Sequence, residues 1–130
     1  MIVLDASVVV ELLTEGPLAK PLRDALDSAD EPWLVPHLLD VEVLSALRGL
    51  LTARHRDPRH SGDFIEQLSA LPAERCSHIP LLDRIWELRQ NFTAYDAAYI
   101  ALAEATGSTL FTTDRKLSRG HRARVVVFGD

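Results

Sequence analysis

A helix that is apolar on almost every side constrains this chain more than any other feature. Between Ala94 and Ala105 the charged residues are Asp96 and Glu104, and the positions around them leave no hydrophilic face. Such a helix must be covered by neighbouring elements on most of its sides. Its alanines allow those neighbours to approach closely, and Gly107 is placed to end it.

Short apolar runs alternate with helical patterns along the rest of the chain. Strands are predicted at Met1–Asp5, Pro32–Pro36, Arg75–Ile79, Ser108–Asp114 and Arg124–Asp130. Further helices are predicted at Ala6–Leu13, Leu18–Leu26, His37–Arg54, Gly62–Leu71 and Leu81–Gln90. This alternation predicts an α/β fold, a central parallel sheet with helices on both faces. The length of 130 residues predicts a single domain over residues 1–130.

Two of the predicted strands end in aspartate, at Asp5 and Asp114. Binding sites of parallel α/β sheets form beyond the carboxyl ends of the strands, where the winding changes direction. Asp5 lies between two apolar runs, where a carboxylate needs hydrogen bonds or a cation. Each aspartate is also a suitable N-cap for the helical turn after it, and the two roles are compatible.

Asp96 and Glu42 are the other candidate acids. Thr93 followed by Asp96 nearly matches a capping box, and an acid in a first turn is favoured by the helix dipole, so simple capping is the alternative for Asp96. In the long helix, the helical wheel does not choose between Asp40 and Glu42. The predicted core stripe beside them is Leu39, Val43, Ala46, Leu47 and Leu50.

Four carboxylates after two strands and near two helix starts predict one shared acidic pocket. Hard cations such as Mg²⁺ and Mn²⁺ prefer oxygen ligands of this kind. Without a cation, such acids would repel one another and raise their own pKa values.

Bulk properties narrow the classes of protein. The formal net charge of −5 counts against nonspecific coating of nucleic acid, although basic residues cluster at Arg54–His60 and Arg115–Arg124. A single cysteine, Cys76, allows no disulfide within the chain and fits a reducing compartment. No apolar run is long enough to cross a bilayer, and we expect a cytoplasmic protein.

Four segments, taken together in this order and spacing, resemble the PIN-domain ribonucleases, specifically the VapC-like toxins of type II toxin–antitoxin pairs. They are "MIVLDAS", "LLDVEVLSALR", "TAYDAAYIALAEATG" and "LFTTDRKLSR", and the resemblance covers essentially the whole chain. It implies a three-layer α/β/α PIN-like domain.

The resemblance also implies the site. The family acids correspond to Asp5, Glu42 rather than Asp40, Asp96 and Asp114. They are expected to bind Mg²⁺ or Mn²⁺, with Asp5 and Asp96 as direct ligands and the other two ligating, acting through water or orienting the nucleophile. Ser7 and Thr112 are expected to support the acids, with helix capping as the alternative for each.

The partners follow from the same resemblance. RNA is the expected substrate, with Arg115, Lys116 and Arg119 meeting its phosphates beside Asp114. A VapB-like antitoxin is expected to lay an apolar segment into a groove and a basic side chain among the acids. A homodimer is expected, and its apolar surface is expected to come from Val8, Val9, Leu12 and Leu13 together with the apolar parts of the second helix and of the long helix His37–Arg54. The competing interpretation is a PIN-fold module that binds RNA or protein without turnover.

Other classes fit the sequence less well. A haloacid dehalogenase phosphatase needs a second aspartate where Ser7 stands, and a receiver domain needs an acidic pair beside the first strand. Nucleotide-binding loops are missing from the sequence. The five histidines show no metal-ligand spacing and are predicted to be surface or structural residues: His37, His55, His60, His78 and His121.

Overall fold

Five short, largely apolar segments form the strands of one sheet in the computed structural model, which describes residues 1–54 and 61–129. They are β1 (Ile2–Leu4), β2 (Trp33–Pro36), β3 (Ala73–Cys76), β4 (Thr109–Thr112) and β5 (Arg124–Val127). Every neighbouring pair is parallel, and the strand order is β3-β2-β1-β4-β5. The predicted parallel sheet is therefore confirmed.

Six α-helices connect these strands within the described residues. They are α1 (Ala6–Thr14), α2 (Ala19–Ala29), α3 (Leu38–Arg54), α4 (Ser61–Ser69), α5 (Leu82–Glu87) and α6 (Ala94–Thr106). Two 3₁₀ turns accompany them, at Ile79–Leu81 and Arg115–Ser118. Gly107 ends α6 with a positive φ of 64°, a left-handed conformation that glycine adopts at little cost.

The winding of the sheet changes direction at β1. From β1 the chain adds β2 and then β3 on one side, and it then returns to place β4 and β5 on the other side. Ile2 is in register with Trp33 on one neighbour and with Thr109 on the other. The carboxyl ends of β1 and β4 therefore lie side by side at the switch point, where open α/β sheets form their sites.

Helices cover the sheet in a three-layer α/β/α arrangement. α6 packs on β1, β2 and β4 with α5 against it, while α1 packs with α2, α3 and α4. The predicted burial of α6 is confirmed, since its residues from Ala97 to Ala103 are all buried. Within the described residues, the buried polar or charged side chains are Asp5, Ser108 and Thr112.

Several predicted boundaries were wrong by a few residues. β3 begins at Ala73 and ends at Cys76, because its register partner β2 is only four residues long. α2 runs on to Ala29, and Pro21 is tolerated in its first turn, where a missing N–H costs no helical hydrogen bond. α5 ends at Glu87 rather than Gln90.

The predicted core stripe of α3 was wrong at one position. The core side is made by Leu39, Val43 and Leu47, whereas Ala46 is exposed.

The part of the predicted homodimer surface that lies on α1 is mostly inside the monomer. Val8, Val9 and Leu13 are buried in the core, and Leu12 is only partly exposed. The long helix α3, which was also part of the predicted surface, does expose Val41 and Leu44. Other large apolar side chains are exposed on α4, in the α5 region, at the start of α6, at Met1 and on β5. Across the described residues, no helix combines the length and hydropathy needed to cross a membrane.

Candidate active site at the carboxyl ends of β1 and β4

Asp5 follows β1 directly and has both carboxylate oxygens engaged. Oδ1 accepts hydrogen bonds from the Ser7 hydroxyl and from the backbone N–H of Val8 at 3.1 Å, which makes Asp5 the N-cap of α1. Oδ2 accepts a hydrogen bond from the Thr112 hydroxyl. The side chain is 6% exposed, and burial raises the pKa of its carboxyl. Oδ2 keeps one lone pair for a further partner.

Ser7 and Thr112 bind the ends of β1 and β4 together. The Ser7 hydroxyl accepts the backbone N–H of Thr113 at 3.0 Å while it donates to Asp5. The Thr112 hydroxyl accepts the backbone N–H of Asp114 at 2.9 Å while it donates to Asp5. Neither residue caps a helix, because Asp5 and Asp114 occupy those positions. The two hydroxyls therefore hold together the ends of β1 and β4, which carry Asp5 and Asp114.

Asp114 follows β4 and caps the 3₁₀ turn at Arg115–Ser118, accepting the backbone N–H of Lys116 at 2.9 Å. The side chains of Arg115, Lys116 and Arg119 are all exposed. The pKa of the Asp96 carboxyl is raised overall, and the positive charge of Lys116 offsets part of that increase. Lys116 therefore lies within electrostatic reach of the acids.

Asp96 lies in the first turn of α6 and is half-buried. The capping of this helix is done by Thr93, whose hydroxyl accepts the backbone N–H of Asp96 at 3.1 Å. In a full capping box the Asp96 carboxylate would accept the backbone N–H of Thr93 in return. That bond does not occur among the hydrogen bonds of residues 1–54 and 61–129. The Asp96 carboxylate is consequently not needed for the cap.

Glu42 and Asp40 have different partners in space. The Arg75 guanidinium donates one hydrogen bond to each carboxylate oxygen of Asp40, at 3.3 Å to Oδ2 and at 2.9 Å to Oδ1. Glu42 is half-buried, and its Oε1 accepts the hydroxyl of Tyr99 at 2.6 Å. The charges of Asp96 and Asp5 both act on Glu42. Glu42, not Asp40, therefore belongs with the other candidate acids.

Charge repulsion acts among the four acids, and Asp96 takes part in it with each of the other three. Burial is the largest cause of the raised pKa of Asp5, Glu42 and Asp96. Repulsion adds to it, because the charge of Asp96 raises the pKa of Asp5 and Glu42, and the charge of Asp114 raises that of Asp96. These acids repel one another, so a cation among them would be stabilised.

The donor set fits a hard divalent cation in chemistry. It consists of carboxylate oxygens only, the ligands preferred by Mg²⁺ and Mn²⁺. Among the described residues, no group of three His, Cys, Asp or Glu side chains is already arranged to hold a metal ion. The structure thus brings the acids to one edge of the sheet without closing them into a ligand set.

Two residues at or near this site were missed by the sequence analysis, Tyr99 and Arg75. Tyr99 has the only side-chain hydroxyl between Asp96 and Ala105 and lies one helical turn after Asp96, a signal that could have been used. Arg75 was predicted as part of a strand, and its side chain also donates to the carbonyl oxygens of Leu68, Leu71 and Ala73.

The histidines within the described residues take no part in the site. His37 and His78 are exposed. His121 accepts the backbone N–H of Ala123 with Nδ1 and contacts the Leu117 carbonyl with Nε2. His55, His60 and the basic cluster at residues 54–60 lie outside the described residues, apart from the backbone of Arg54 at the end of α3.

Comparison with known proteins gives concordant matches. A sequence model of the PIN domain matches residues 2–122. The VapC ribonuclease Mb0985 of Mycobacterium bovis is 38% identical over 118 residues, which cover 91% of this chain and 89% of that protein. The ribonuclease VapC12 of Mycobacterium tuberculosis is 35% identical over 127 residues, 96% of this chain and 97% of that protein.

The same architecture occurs in a solved structure. The crystal structure of VapBC2 from Rickettsia felis, bound to a DNA fragment from its promoter, contains a chain that superimposes with a TM-score of 0.73. The match covers 99% of this chain and 100% of that chain at 12% identity, so it concerns the fold.

Proposed function

The chain belongs to the PIN-domain family and is a VapC-like ribonuclease, and we propose that its four coupled acids support metal-dependent hydrolysis of RNA phosphodiester bonds. The observation that carries the proposal is the position of Asp96, which interacts electrostatically with Asp5, Glu42 and Asp114 at the switch point of the sheet. In the toxin–antitoxin setting of such ribonucleases, this activity makes the chain the toxin component.

Each acid has a proposed role. Asp5 and Asp96 would hold Mg²⁺ or Mn²⁺ directly, and Glu42 and Asp114 would hold a second ion, act through water or orient the nucleophile. Such a cation, when bound, would supply a water of lowered pKa and would offset charge on the phosphodiester. Ser7 and Thr112 keep the Asp5 carboxylate aimed by hydrogen bonds to its two oxygens.

RNA is the proposed substrate, and its phosphates meet the exposed cations after β4. Arg115 and Lys116 begin the 3₁₀ turn capped by Asp114, so they lie beside one of the acids, and Arg119 follows that turn. Such contacts place the backbone without reading its sequence. Because this substrate is cellular RNA, a cytoplasmic location is part of the same proposal.

An antitoxin of the VapB type is the proposed regulator, and an apolar cavity offers it a place to bind. The cavity of about 400 Å³ is lined by side chains of α1, α2, β2 and the end of α4, among them Leu12, Leu13, Leu26, Trp33 and Leu71. Leu12 lies seven residues after Asp5, roughly 10 Å along a helix. A segment in the cavity could therefore extend along α1 and place an arginine against the acids, where paired hydrogen bonds would compete with metal.

A homodimer is also proposed. Ile79, Leu82 and Trp86 are 63%, 52% and 67% exposed, and they follow one another at spacings of three and four residues. An exposed apolar stripe of this kind commonly marks an interface. Light scattering at tens of micromolar should give twice the mass of the chain, and Trp86→Glu should shift it toward the monomer. A monomeric wild-type chain would contradict the proposal.

The enzyme is distinguished from a binding module by turnover. Antitoxin-free protein should cleave RNA in Mg²⁺ or Mn²⁺, stop in EDTA and resume when the metal is restored, whereas Asp5→Asn should not cleave. RNA binding with no cleavage under any of these conditions would favour the binding module. Cleavage that continues undiminished in EDTA would overturn the metal dependence. Sequencing of RNA ends after brief expression would then identify the target.

A further inference from the structure

We propose that Tyr99 is a positioning residue, whose hydroxyl holds the Glu42 carboxylate beside the other acids and thereby raises the affinity of the site for a divalent cation. The inference rests on the proposed function, because it assigns a task to a residue within that metal site. Tyr99 itself is not proposed to touch metal or RNA.

The contact between Tyr99 and Glu42 is long-range and well defined. The two residues are 57 positions apart, on α6 and α3, and the hydroxyl oxygen lies 2.6 Å from Oε1 of Glu42. Tyr99 is 1% exposed, so its ring is fixed by the surrounding core. Asp96 and Tyr99 are three residues apart on α6 and share one face of the helix. On that face, Asp96 is one of the acids of the site, and the Tyr99 hydroxyl binds a second acid, Glu42.

The hydrogen bond from Tyr99 opposes the charge repulsion that acts on the Glu42 carboxylate. The Tyr99 hydroxyl donates its proton to Oε1 of Glu42, and the buried ring keeps the hydroxyl in that position. Glu42 is half-buried, and the charges of Asp96 and Asp5 act on it. Without a donor, this repulsion would favour rotation of the carboxylate toward solvent. The phenol has one proton to give, so Oε2 of Glu42 stays available to a cation or to its bound water.

A purely structural task for this pair predicts something different. A buried tyrosine hydroxyl needs a hydrogen-bond partner, and a neutral acceptor would satisfy it. The acceptor here is instead a carboxylate that is repelled by two others. If the pair only stabilised the fold, removal of the hydroxyl would lower thermal stability and leave metal affinity unchanged.

The test is calorimetric titration of Mn²⁺ into the full, antitoxin-free chain, below the unfolding temperature of each variant. Tyr99→Phe removes the hydroxyl and keeps the ring, and it should weaken Mn²⁺ binding by about 10- to 100-fold, the usual effect of losing a partner that orients a ligand. The matched control is Tyr95→Phe, one turn earlier on α6 with a side chain 62% exposed, which should bind like wild type.

A double-mutant cycle locates the effect. In a Glu42→Gln background, Tyr99→Phe should change Mn²⁺ affinity less than twofold, because the residue through which it acts is already neutral. Glu42→Asp shortens the acid away from the hydroxyl and should also weaken binding. It provides the answer if Tyr99→Phe does not fold.

The outcomes separate this inference from the proposed function. If wild type binds Mn²⁺ and Tyr99→Phe binds it within twofold, the positioning task is overturned and the metal site stands. The positioning task is also overturned if Tyr99→Phe and Tyr95→Phe lose the same amount of Mn²⁺ affinity. It is overturned as well if Tyr99→Phe loses as much Mn²⁺ affinity in the Glu42→Gln background as in wild type. If wild type itself binds no Mn²⁺ at millimolar concentration, both the metal site and the inference are overturned.

Discussion

The hydroxyl of Thr112 donates a hydrogen bond to Oδ2 of Asp5, joining residues 107 positions apart at the carboxyl ends of β4 and β1. Thr112 is fully buried, and its hydroxyl also accepts the backbone N–H of Asp114. One side chain thus connects two acids that terminate adjacent strands.

Removal of this hydroxyl should therefore affect both stability and cleavage. Thr112→Val leaves Asp5 and the Asp114 N–H short of a partner, and we expect the free energy of unfolding to fall by about 1–3 kcal/mol. RNA cleavage should fall with it, since Asp5 is no longer held. Urea denaturation and a cleavage assay measure the two effects. Thr112→Ser should be close to wild type, and Thr113→Val is the neighbouring control. A Thr112→Val protein with wild-type values in both assays would show that the bond is dispensable.

The acid at the start of α6 can be tested without loss of the cap. Thr93 caps this helix through its hydroxyl, so Asp96→Asn should leave the free energy of unfolding within about 1 kcal/mol of wild type. Cleavage should nonetheless be abolished, because the amide cannot replace a charged metal ligand. Thr93→Ala should show the reverse pattern, a stability loss of about 1 kcal/mol with activity retained. Near-normal cleavage by Asp96→Asn would return this residue to a local role.

The two acids of α3 should respond in opposite ways. Asp40→Asn weakens the ion pair with Arg75, which is partly exposed, and should cost about 1 kcal/mol of stability while cleavage continues. Glu42→Gln should keep the fold and lose cleavage by at least about 10-fold, since it removes a charge from the acidic site. Parallel measurement of melting temperature and RNA cleavage compares them. If Asp40→Asn is the inactive variant, the assignment of the acids is reversed.

The exposed cations beside Asp114 should contribute to RNA binding through counterion release. Arg115→Ala combined with Lys116→Ala should weaken binding and reduce the slope of log affinity against log salt by about 1.4 for single-stranded RNA. Fluorescence anisotropy over a salt series gives both quantities, and antitoxin binding should change less than RNA cleavage.

The matched control for this pair is Arg122→Ala with Arg124→Ala, two exposed cations. Arg124 begins β5, which is parallel to β4, so it lies at the opposite end of the sheet from Asp114. The backbone N–H of Arg122 binds Glu104, near the end of α6 that is far from Asp96. An equal effect of the two double variants on the salt slope would mean that the cations beside Asp114 have no special place in the RNA path.

The raised pKa of Asp5 predicts a pH dependence of stability in metal-free protein. The folded state binds the proton of this carboxyl more readily than the unfolded state, so the contribution of Asp5 to stability is lost as pH rises above the ordinary carboxyl range. Asp5→Asn removes this loss. In EDTA, the free energy of unfolding of Asp5→Asn relative to wild type should therefore rise as the pH increases above about 4, the ordinary pKa of a free aspartate. A difference that is flat across this range would contradict the direction of the shift.

The sequence by itself determined the parallel sheet, the buried helix and the positions of three acids. Asp5 and Asp114 follow apolar strands, and parallel strands present their carboxyl ends at one edge of a sheet. Asp96 stands in the first turn of a helix whose apolar surface required burial. These placements depend on residues close together in the chain, where periodicity and strand ends are informative.

The tertiary structure decided which residues form hydrogen bonds or ion pairs with the acids of α3. Asp40 and Glu42 are two residues apart and fall in the same arc of a helical wheel, so local pattern could not rank them. Their partners are Arg75, 35 positions from Asp40, and Tyr99, 57 positions from Glu42. The part of the predicted dimer surface on α1 was misjudged for the same reason, since the burial of Val8 depends on segments that come later in the chain. The environment of a side chain in this fold is set by segments that are distant in the sequence and pack against it. The residues next to it in the sequence do not indicate which segments those are.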